Sequence, residues 1–258
     1  MIQLFKVELI VMFLFMNLWF GLAIWKKKND IADIVWGLGF IVTVVCALLV
    51  SHSSGERAVL VSALVFVWGS RLSIRILLRN IKKAEDPRYQ QWRQEWGESF
   101  LLRTYLQIFM LQGLLILIIS VPVLHIIRAD NIPLQLLDYL GAAIWGCGFF
   151  FEIVGDYQLD RFKNNPVNKG RIMKYGLWRY SRHPNYFGEV LLWWGIFLMS
   201  LHLENGYLTV VGPATITFLI LKVSGIPLAE KRSLHKEEFQ KYMKSTSVFV
   251  PMPPKKEN

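Results

Sequence analysis

The residues from Gly176 to Glu189 carry a dense group of chemically active side chains, and a hydrophobic segment follows them directly. Guanidinium, imidazole, phenol, amide and carboxylate groups all occur in this short stretch. Polar groups near hydrocarbon are costly unless they are paired or bind something. The group therefore predicts a site for an anionic, hydrogen-bond-rich ligand, such as a phosphorylated cofactor, that arrives from the aqueous side. Its members are Arg179, Tyr180, Arg182, His183, Asn185, Tyr186 and Glu189.

Pro184 is a favourable residue for the first turn of a helix, so the span that follows is expected to begin there. This role accounts for Pro184 but not for the polar residues around it. On such a helix Asn185 and Glu189 are four residues apart and share one face. Glu189 would then lie about one turn inside the membrane, where a carboxylate is a functional-site candidate.

A catalytic metal is not expected. Metal sites need three or four convergent ligands, and the sequence has no HExxH motif, no paired-histidine spacing and no cysteine cluster. It also has no Walker loop and no Gly-x-Gly-x-x-Gly after a strand. Any nucleotide would therefore be held by an all-helical site.

The elements that position these residues are expected to be transmembrane helices. The chain is 53% hydrophobic and only 19% charged, which is unusual for a soluble domain. Continuous apolar runs long enough to cross roughly 30 Å of hydrocarbon predict an all-α integral membrane protein with seven transmembrane helices. The predicted spans are 4–25, 32–51, 57–78, 105–127, 134–155, 187–203 and 207–224. The first is expected to be a retained anchor, because no small-residue cleavage site follows it.

The distribution of positive charge predicts the orientation. The segments 26–30, 79–104, 156–186 and 222–258 hold 24 of the 29 Lys and Arg residues. The positive-inside rule places them in the cytoplasm, with the N-terminus outside and the C-terminus inside. The net charge of +10 is thus interpreted as a topology signal and a contact with anionic membrane lipids, rather than as a nucleic-acid site.

Polar residues of the inner loops are expected to contribute to the cofactor site. Asp156 and Asp160 lie one helical turn apart at the end of the fifth span. One interpretation is that both carboxylates lie at a solvated helix end. The other is that Asp156 accepts a hydrogen bond from a ribose or amide of the cofactor. Lys163 and Arg171 follow in the loop, and His235 lies in the polar C-terminal tail on the same side.

Two residues of the third span, Trp68 and Arg71, are candidate catalytic residues. A guanidinium this deep in a span needs a carboxylate or a polar cavity, and Asp33 near the start of the second span is its candidate partner. Asp33 is equally placed to be a plain cap of its own helix.

The polar motif resembles the C-terminal signature of the steroid 5-alpha-reductase family, in its bacterial branch. Matches extend over almost the whole chain, so we expect one membrane-embedded reductase domain, 1–258, with a cofactor-binding half at about 79–258. The further matches are Asp33 with Trp36-Gly37, Trp68-Gly69-x-Arg71-Leu72, Glu85-Asp86-Pro87-Arg88-Tyr89, Asp156-x-Gln158-Leu159, Ser224-Gly225-Ile226 and Glu230.

The resemblance implies a seven-helix membrane enzyme that uses NADPH to reduce a carbon–carbon double bond conjugated to a ketone, as in 3-oxo-4-ene steroids. The substrate would be a steroid-like or isoprenoid lipid taken from the bilayer by a monomer. In a bacterium the enzyme would lie in the cytoplasmic membrane, with its cofactor site on the cytoplasmic side. The implied cofactor-binding residues are Arg88, Asp156, Lys163, Arg171, Tyr180, Arg182, His183, Asn185, Tyr186, Glu189 and His235. The implied catalytic residues are Asp33, Trp68, Arg71 and Glu189.

The sequence departs from the family at two points. Arg182-His183-Pro184 before Asn185 is more similar to the sterol reductases and the isoprenylcysteine carboxyl methyltransferases. The family's ketone-binding tyrosine looks like Trp68 here, and Asp33 stands in for its glutamate. Two alternatives therefore remain open: a methyltransferase that uses S-adenosylmethionine on a lipid or prenylated carboxylate, and a membrane scaffold without enzymatic activity.

Overall fold

The structure is a computed structural model that describes residues 2–81, 85, 87–129, 133–231 and 233–255, without the side chains of residues 2, 87 and 88. Within these ranges every regular element is helical, and the backbone bridge between Ser181 and Ser247 is isolated. The predicted all-α class is therefore confirmed. The described residues divide into two compact units, one within 1–135 and 202–212 and the other within 136–201 and 213–258.

The first unit is built from long apolar helices followed by shorter, linked ones. A 3-10 turn at Gly97–Ser99 and a π-helical stretch at Thr104–Met110 join its later helices into an almost continuous run. The helices are α1 (Ile2–Lys26), α2 (Ile31–Ser51), α3 (Glu56–Asn80), α4 (Pro87–Trp96), α5 (Phe100–Arg103), α6 (Leu111–Ile119) and α7 (Val121–Arg128).

The helices α2 and α3 approach each other closely in the core of this unit. A Cβ on Gly37 would lie 2.6 Å from the carbonyl oxygen of Gly69, so both positions require the smallest side chain. The Ser73 hydroxyl donates a hydrogen bond to the Ile34 carbonyl at 2.9 Å across the same contact. Trp68 is buried and packs edge-on against Phe40, with ring centroids 5.2 Å apart.

The second unit contains the helices that carry the polar motif. Its long helix α8 is Leu136–Asn164, and α9 is Pro184–Ser200. Short 3-10 turns occur at Pro166–Asn168 and Gly176–Arg179, and a π-helical turn occurs at Leu219–Val223. The remaining helices are α10 (Val211–Phe218, its first two residues in the other unit), α11 (Ile226–Lys231) and α12 (Glu237–Ser245).

Glycines allow α8 and α9 to pack at backbone distance. A Cβ on Gly148 would lie 2.6 Å from the Gly188 carbonyl oxygen, and one on Gly195 would lie 2.6 Å from the Gly141 carbonyl oxygen. Small residues permit this close approach of apolar helices in a membrane. The contact fixes the first turn of α9 against the last turns of α8.

Six of the described helices are long and apolar enough to cross a membrane: Gln3–Lys26, Ile31–Ser51, Glu56–Asn80, Tyr89–Ile119, Leu136–Asn164 and Gly206–Lys231. They indicate a multi-pass integral membrane protein. The fourth was predicted at 105–127 but begins at Tyr89 and ends at Ile119. The helix α4 and the 3-10 turn after it belong to the same helical run.

Candidate active site

The last turns of α8 contribute an acidic residue to the site. Asp156 is buried, and its Oδ1 accepts a hydrogen bond from the Asn185 Nδ2 at 3.1 Å. Gly155 makes this contact possible, since a Cβ there would lie 3.1 Å from the Asn185 backbone nitrogen. The predicted cofactor residues Asp156 and Asn185 are thus neighbours, although they are separated by a long loop in the sequence.

The polar motif begins with a turn that is anchored on α8. Gly176 has a φ of +59°, and a Cβ there would lie 2.5 Å from the Gln158 side chain. The Gln158 Oε1 accepts a hydrogen bond from the Leu177 backbone nitrogen at 2.9 Å. The buried Trp178 donates from Nε1 to the Gly155 carbonyl at 2.9 Å. These contacts explain why glycine and tryptophan occur here.

A buried charged cluster lies at the N-terminus of α9. The Arg182 Nε and the His183 Nε2 both lie 2.9 Å from the same Glu230 oxygen, Oε1. The relative exposures of the three side chains are 9%, 8% and 11%, in the order Arg182, His183, Glu230. Such a cluster is stable only when its charges are paired and hydrogen-bonded.

Arg182 also binds the C-terminal part of the chain. Its NH1 nitrogen donates to the Met243 carbonyl at 3.0 Å and approaches the Thr246 carbonyl at 3.5 Å. The implied role of Arg182 in cofactor binding stays a prediction, and the hydrogen bonds described for its side chain join it to protein atoms.

The residues after α12 form a strap across the polar motif, and we call residues 246–255 the C-terminal strap. The ring of Phe249 contacts that of Phe187 edge-on, with centroids 5.6 Å apart. The strap is held by hydrogen bonds from Arg182 N to Ser247 O (2.8 Å), from Ser181 Oγ to Phe249 O (2.6 Å) and from Met252 N to Tyr180 O (2.9 Å).

Tyr242 of α12 closes the base of the motif. Its buried hydroxyl donates to the Trp178 carbonyl. Burial raises the pKa of the Tyr242 phenol, an effect that the Arg182 guanidinium opposes and the Glu230 carboxylate reinforces. The phenol therefore stays neutral and acts as a hydrogen-bond donor.

One buried polar atom in this region, the Asn185 Oδ1, has no hydrogen-bond partner among the described residues. The His183 ring stacks on the Tyr186 ring, with centroids 5.4 Å apart and an interplanar angle of 10°. Asn185, His183 and Tyr186 were all predicted from the sequence as cofactor residues, and the structure brings them together.

The other predicted cofactor residues of this unit lie nearer the surface. Glu189 is half-buried on the first turns of α9, whereas the remaining ones are exposed. The exposed residues are Lys163, Arg171, Tyr180 and His235.

The loop before the motif is joined to α12 and the residue before it. Lys174 and Glu238 form an ion pair at 3.1 Å, and Lys236 Nζ donates to the Gly170 carbonyl.

The predicted catalytic residues Asp33, Trp68 and Arg71 belong to the first unit. The Asp33 Oδ1 accepts a hydrogen bond from the Tyr89 hydroxyl at 3.1 Å, a contact that the sequence analysis did not predict. Trp68 is fully buried, and Arg71 is partly exposed. The side chain of Arg88 lies outside the described residues.

Within the described chain, no group of three or more His, Cys, Asp and Glu side chains is arranged to hold a metal ion. The donors near α9 are instead amide, imidazole, guanidinium and phenol groups. Such groups bind an organic anion or a nucleotide through hydrogen bonds.

Comparison with known proteins matches residues 19–246 to a family model described as "Protein of unknown function (DUF1295)". An uncharacterised protein of Schizosaccharomyces pombe is 24% identical over 222 residues, which cover 76% of this chain and 64% of that protein. The 3-oxo-5-alpha-steroid 4-dehydrogenases 1 of Bos taurus and Rattus norvegicus are each 27% identical over 111 residues, covering 43% of this chain and 40% of theirs. The matches thus span less than two thirds of the length of these relatives. No solved structure matches the chain.

Proposed function

Because the chain belongs to the DUF1295 family, which is steroid 5-alpha-reductase-like, we propose that it is an NADPH-dependent membrane reductase. Its substrate class is a steroid-like or isoprenoid lipid with a carbon–carbon double bond conjugated to a ketone. The bovine and rat relatives are named as 4-dehydrogenases of 3-oxo-5-alpha-steroids, which is the reverse direction of the proposed reduction.

The Asn185 side chain is the observation that best supports a nicotinamide cofactor. Its Nδ2 is committed to Asp156, whereas its Oδ1 is buried without a partner among the described residues. An unsatisfied buried acceptor costs about 1–3 kcal/mol. A primary carboxamide, such as that of nicotinamide, provides an N–H donor that would satisfy this oxygen.

The exposed cations of the same unit fit the anionic part of the cofactor. Lys163 lies in the last turn of α8, Arg171 lies in the connection between α8 and α9, and both side chains are exposed. Charge-assisted hydrogen bonds from such groups to phosphate oxygens are roughly twice as strong as neutral ones. We propose that these residues bind the pyrophosphate and the 2′-phosphate.

The cofactor supplies the hydride, and the residues of the chain bind and orient the reactants. The Asp156–Asn185 pair would hold the carboxamide of the nicotinamide, and Glu189, four residues after Asn185 in α9, would be a second contact for it. Asp33, Trp68 and Arg71 are the proposed catalytic residues of the first unit. A hydrogen-bond donor at the ketone oxygen stabilises the negative charge that develops when the conjugated double bond is reduced.

The proposed topology has seven spans, with the N-terminus outside and the C-terminus in the cytoplasm. The span that completes the seven is α9, the sixth in chain order, whose 17 residues rise about 26 Å, at 1.5 Å per residue. The cytoplasmic side would then hold the polar motif, where soluble NADPH is available. The positive charge of the loops supports this orientation.

A fluorescence titration tests the proposal, since the chain has 10 tryptophans and Trp178 is part of the site. We expect NADPH to quench or shift the emission of the purified protein with saturation. Asn185→Ala should weaken NADPH binding about tenfold, the effect of losing about 1.4 kcal/mol.

Asn165→Ala is the matched control, because Asn165 is exposed and its side chain caps only a short turn. It should bind NADPH like the wild type. Saturable binding of S-adenosylmethionine without NADPH binding would support the methyltransferase instead. Binding of neither would contradict both enzymatic functions.

A further inference from the structure

Glu230 of α11 organises two consecutive residues of the polar motif through a single oxygen atom. Arg182 Nε and His183 Nε2 both lie 2.9 Å from Oε1. Arginine is always protonated and can only donate. A guanidinium at this distance favours the ionised form of the carboxylate.

An ionised carboxylate has no proton to donate, so the hydrogen of the His183–Glu230 contact must reside on the imidazole. The contact therefore selects the form of His183 that is protonated at Nε2. In a neutral imidazole the other nitrogen, Nδ1, is then a hydrogen-bond acceptor.

The orientation of the ring is fixed from two sides. Glu230 holds the Nε2 edge, and Tyr186 stacks on the face of the ring at a centroid distance of 5.4 Å. The Nδ1 atom makes no hydrogen bond within the described part of the chain. His183 precedes Asn185 by two residues, and the Asn185 Oδ1 is also without a hydrogen-bond partner among the described residues.

We propose that Glu230 is a positioning residue that keeps His183 protonated at Nε2, so that Nδ1 is presented as an acceptor for a hydroxyl or amide N–H of the bound cofactor. The cofactor part of this inference rests on the proposed function, whereas the protonation pattern of His183 does not. The Arg182 guanidinium favours the ionised form of Glu230, and it also donates to the carbonyls of Met243 in α12 and Thr246 in the C-terminal strap.

The tautomer can be measured directly by nitrogen NMR on the full-length protein labelled with ¹⁵N-histidine. His183→Gln removes one signal and so assigns it among the five histidines. We expect the wild-type His183 signals to show a protonated Nε2 and an unprotonated Nδ1. A proton on Nδ1 with a bare Nε2 would overturn the inference.

Glu230→Gln should weaken this preference, because a neutral amide oxygen is a weaker acceptor for the Nε2 hydrogen than a carboxylate oxygen. Glu237→Gln is the matched control, since Glu237 is an exposed carboxylate of α12 whose ion pair among the described residues is with Lys241. It should leave the His183 signals unchanged. Unchanged His183 signals in Glu230→Gln would also contradict a positioning role.

Two isosteric variants separate the two nitrogens. The amide of His183→Gln lies near the former Nε2 and can still reach Glu230, whereas that of His183→Asn lies near the former Nδ1. We expect His183→Gln to keep its melting temperature but to lose NADPH affinity at least about tenfold. His183→Asn should melt earlier and keep most of its NADPH affinity.

The opposite pattern, in which His183→Gln keeps its NADPH affinity and His183→Asn loses it, would contradict the assignment of Nδ1 to the cofactor. If the wild type binds no NADPH at all, the proposed function fails. The NMR result then decides on the Glu230–His183 pairing by itself.

Discussion

Arg182 and Arg171 have the same charge and lie close together in the sequence, but their environments differ. Arg182 is buried, and its guanidinium is bonded to Glu230 and to two backbone carbonyls. Arg171 is exposed. The difference in burial therefore distinguishes a cation with a structural role from one that is exposed and can reach a phosphate.

We expect Arg182→Ala to destabilise the protein by about 3–5 kcal/mol, because it leaves the buried Glu230 carboxylate without its main partner. Arg171→Ala should leave the melting temperature unchanged and weaken NADPH binding several-fold. Thermal melts and NADPH titrations of both variants measure the two effects. Equal melting temperatures of Arg182→Ala and wild type would contradict the structural role of the cluster.

Tyr242 gives a prediction about alkaline pH. Burial raises the pKa of its phenol above the ordinary value of 10.0. Above pH 10 the unfolded chain loses this proton while the folded chain keeps it, so stability falls as the pH rises. Tyr242→Phe should lower the melting temperature at pH 7 but show a smaller decrease between pH 9 and pH 11 than the wild type. Parallel decreases in both proteins would show that the phenol is not responsible.

The residues from Gly176 to Glu189 were recognisable from the sequence, because so many polar types rarely occur together beside an apolar span. The organising role of Glu230 was not. It is 47 residues from His183 in the sequence, and only the path of the chain after α10 brings the two together. Gln158 and Tyr242 were missed as anchors for the same reason, since each bonds to a backbone atom and not to a recognisable partner.

Among the helices, the contact between α8 and α9 determines where the polar motif lies. The glycines at 141, 148 and 155 follow one another at intervals of seven residues, which places them on one face of α8. Gly188 and Gly195 face them from α9. This spacing is visible in the sequence and is typical of a close helix–helix contact, but the sequence alone does not show that α9 is the partner.

Gly148→Ala should lower the stability of the protein by about 1–3 kcal/mol, because the new methyl group meets the α9 backbone in a close-packed contact. Gly146→Ala is the matched control in the same helix, since a Cβ there has nothing within 4 Å. It should be neutral or slightly stabilising, as alanine favours helix formation. Thermal melts in detergent compare the two, and equal effects would contradict the packing described.

The length and position of most helices followed from the sequence, because a continuous apolar run beside charged residues defines both ends of a span. The run from Tyr89 to Ile119 was harder to predict. Its polar first turns contain Trp92 and Trp96, whose rings stack with centroids 5.3 Å apart, and they continue into the apolar part through the π-helical stretch. Hydropathy alone does not show that an amphipathic segment and a span form one helical run.

Most Lys and Arg residues are concentrated in alternate loops of the sequence, and this gives the topology prediction. Cysteines introduced at Glu204→Cys and Lys255→Cys, with Cys46 and Cys147 replaced by alanine, provide one site on each predicted side. A membrane-impermeant maleimide should label position 204 but not position 255 in intact cells. Both should react after permeabilisation. Labelling of position 255 in intact cells would place the C-terminus outside and remove the basis for a cytoplasmic cofactor site.

Hydride transfer from NADPH to a lipid enone is the central claim, and isotope transfer tests it most directly. The purified protein in lipid nanodiscs is incubated with a 3-oxo-4-ene steroid and NADPH deuterated at C4 of the nicotinamide, in separate 4R and 4S forms. We predict that one of the two forms yields a saturated ketone one mass unit heavier than the product from unlabelled NADPH, while the other form does not. Asn185→Ala should slow this transfer, and Asn165→Ala should not. Consumption of NADPH without deuterium in the lipid product, or no consumption at all with a panel of steroid and isoprenoid enones, would contradict the account.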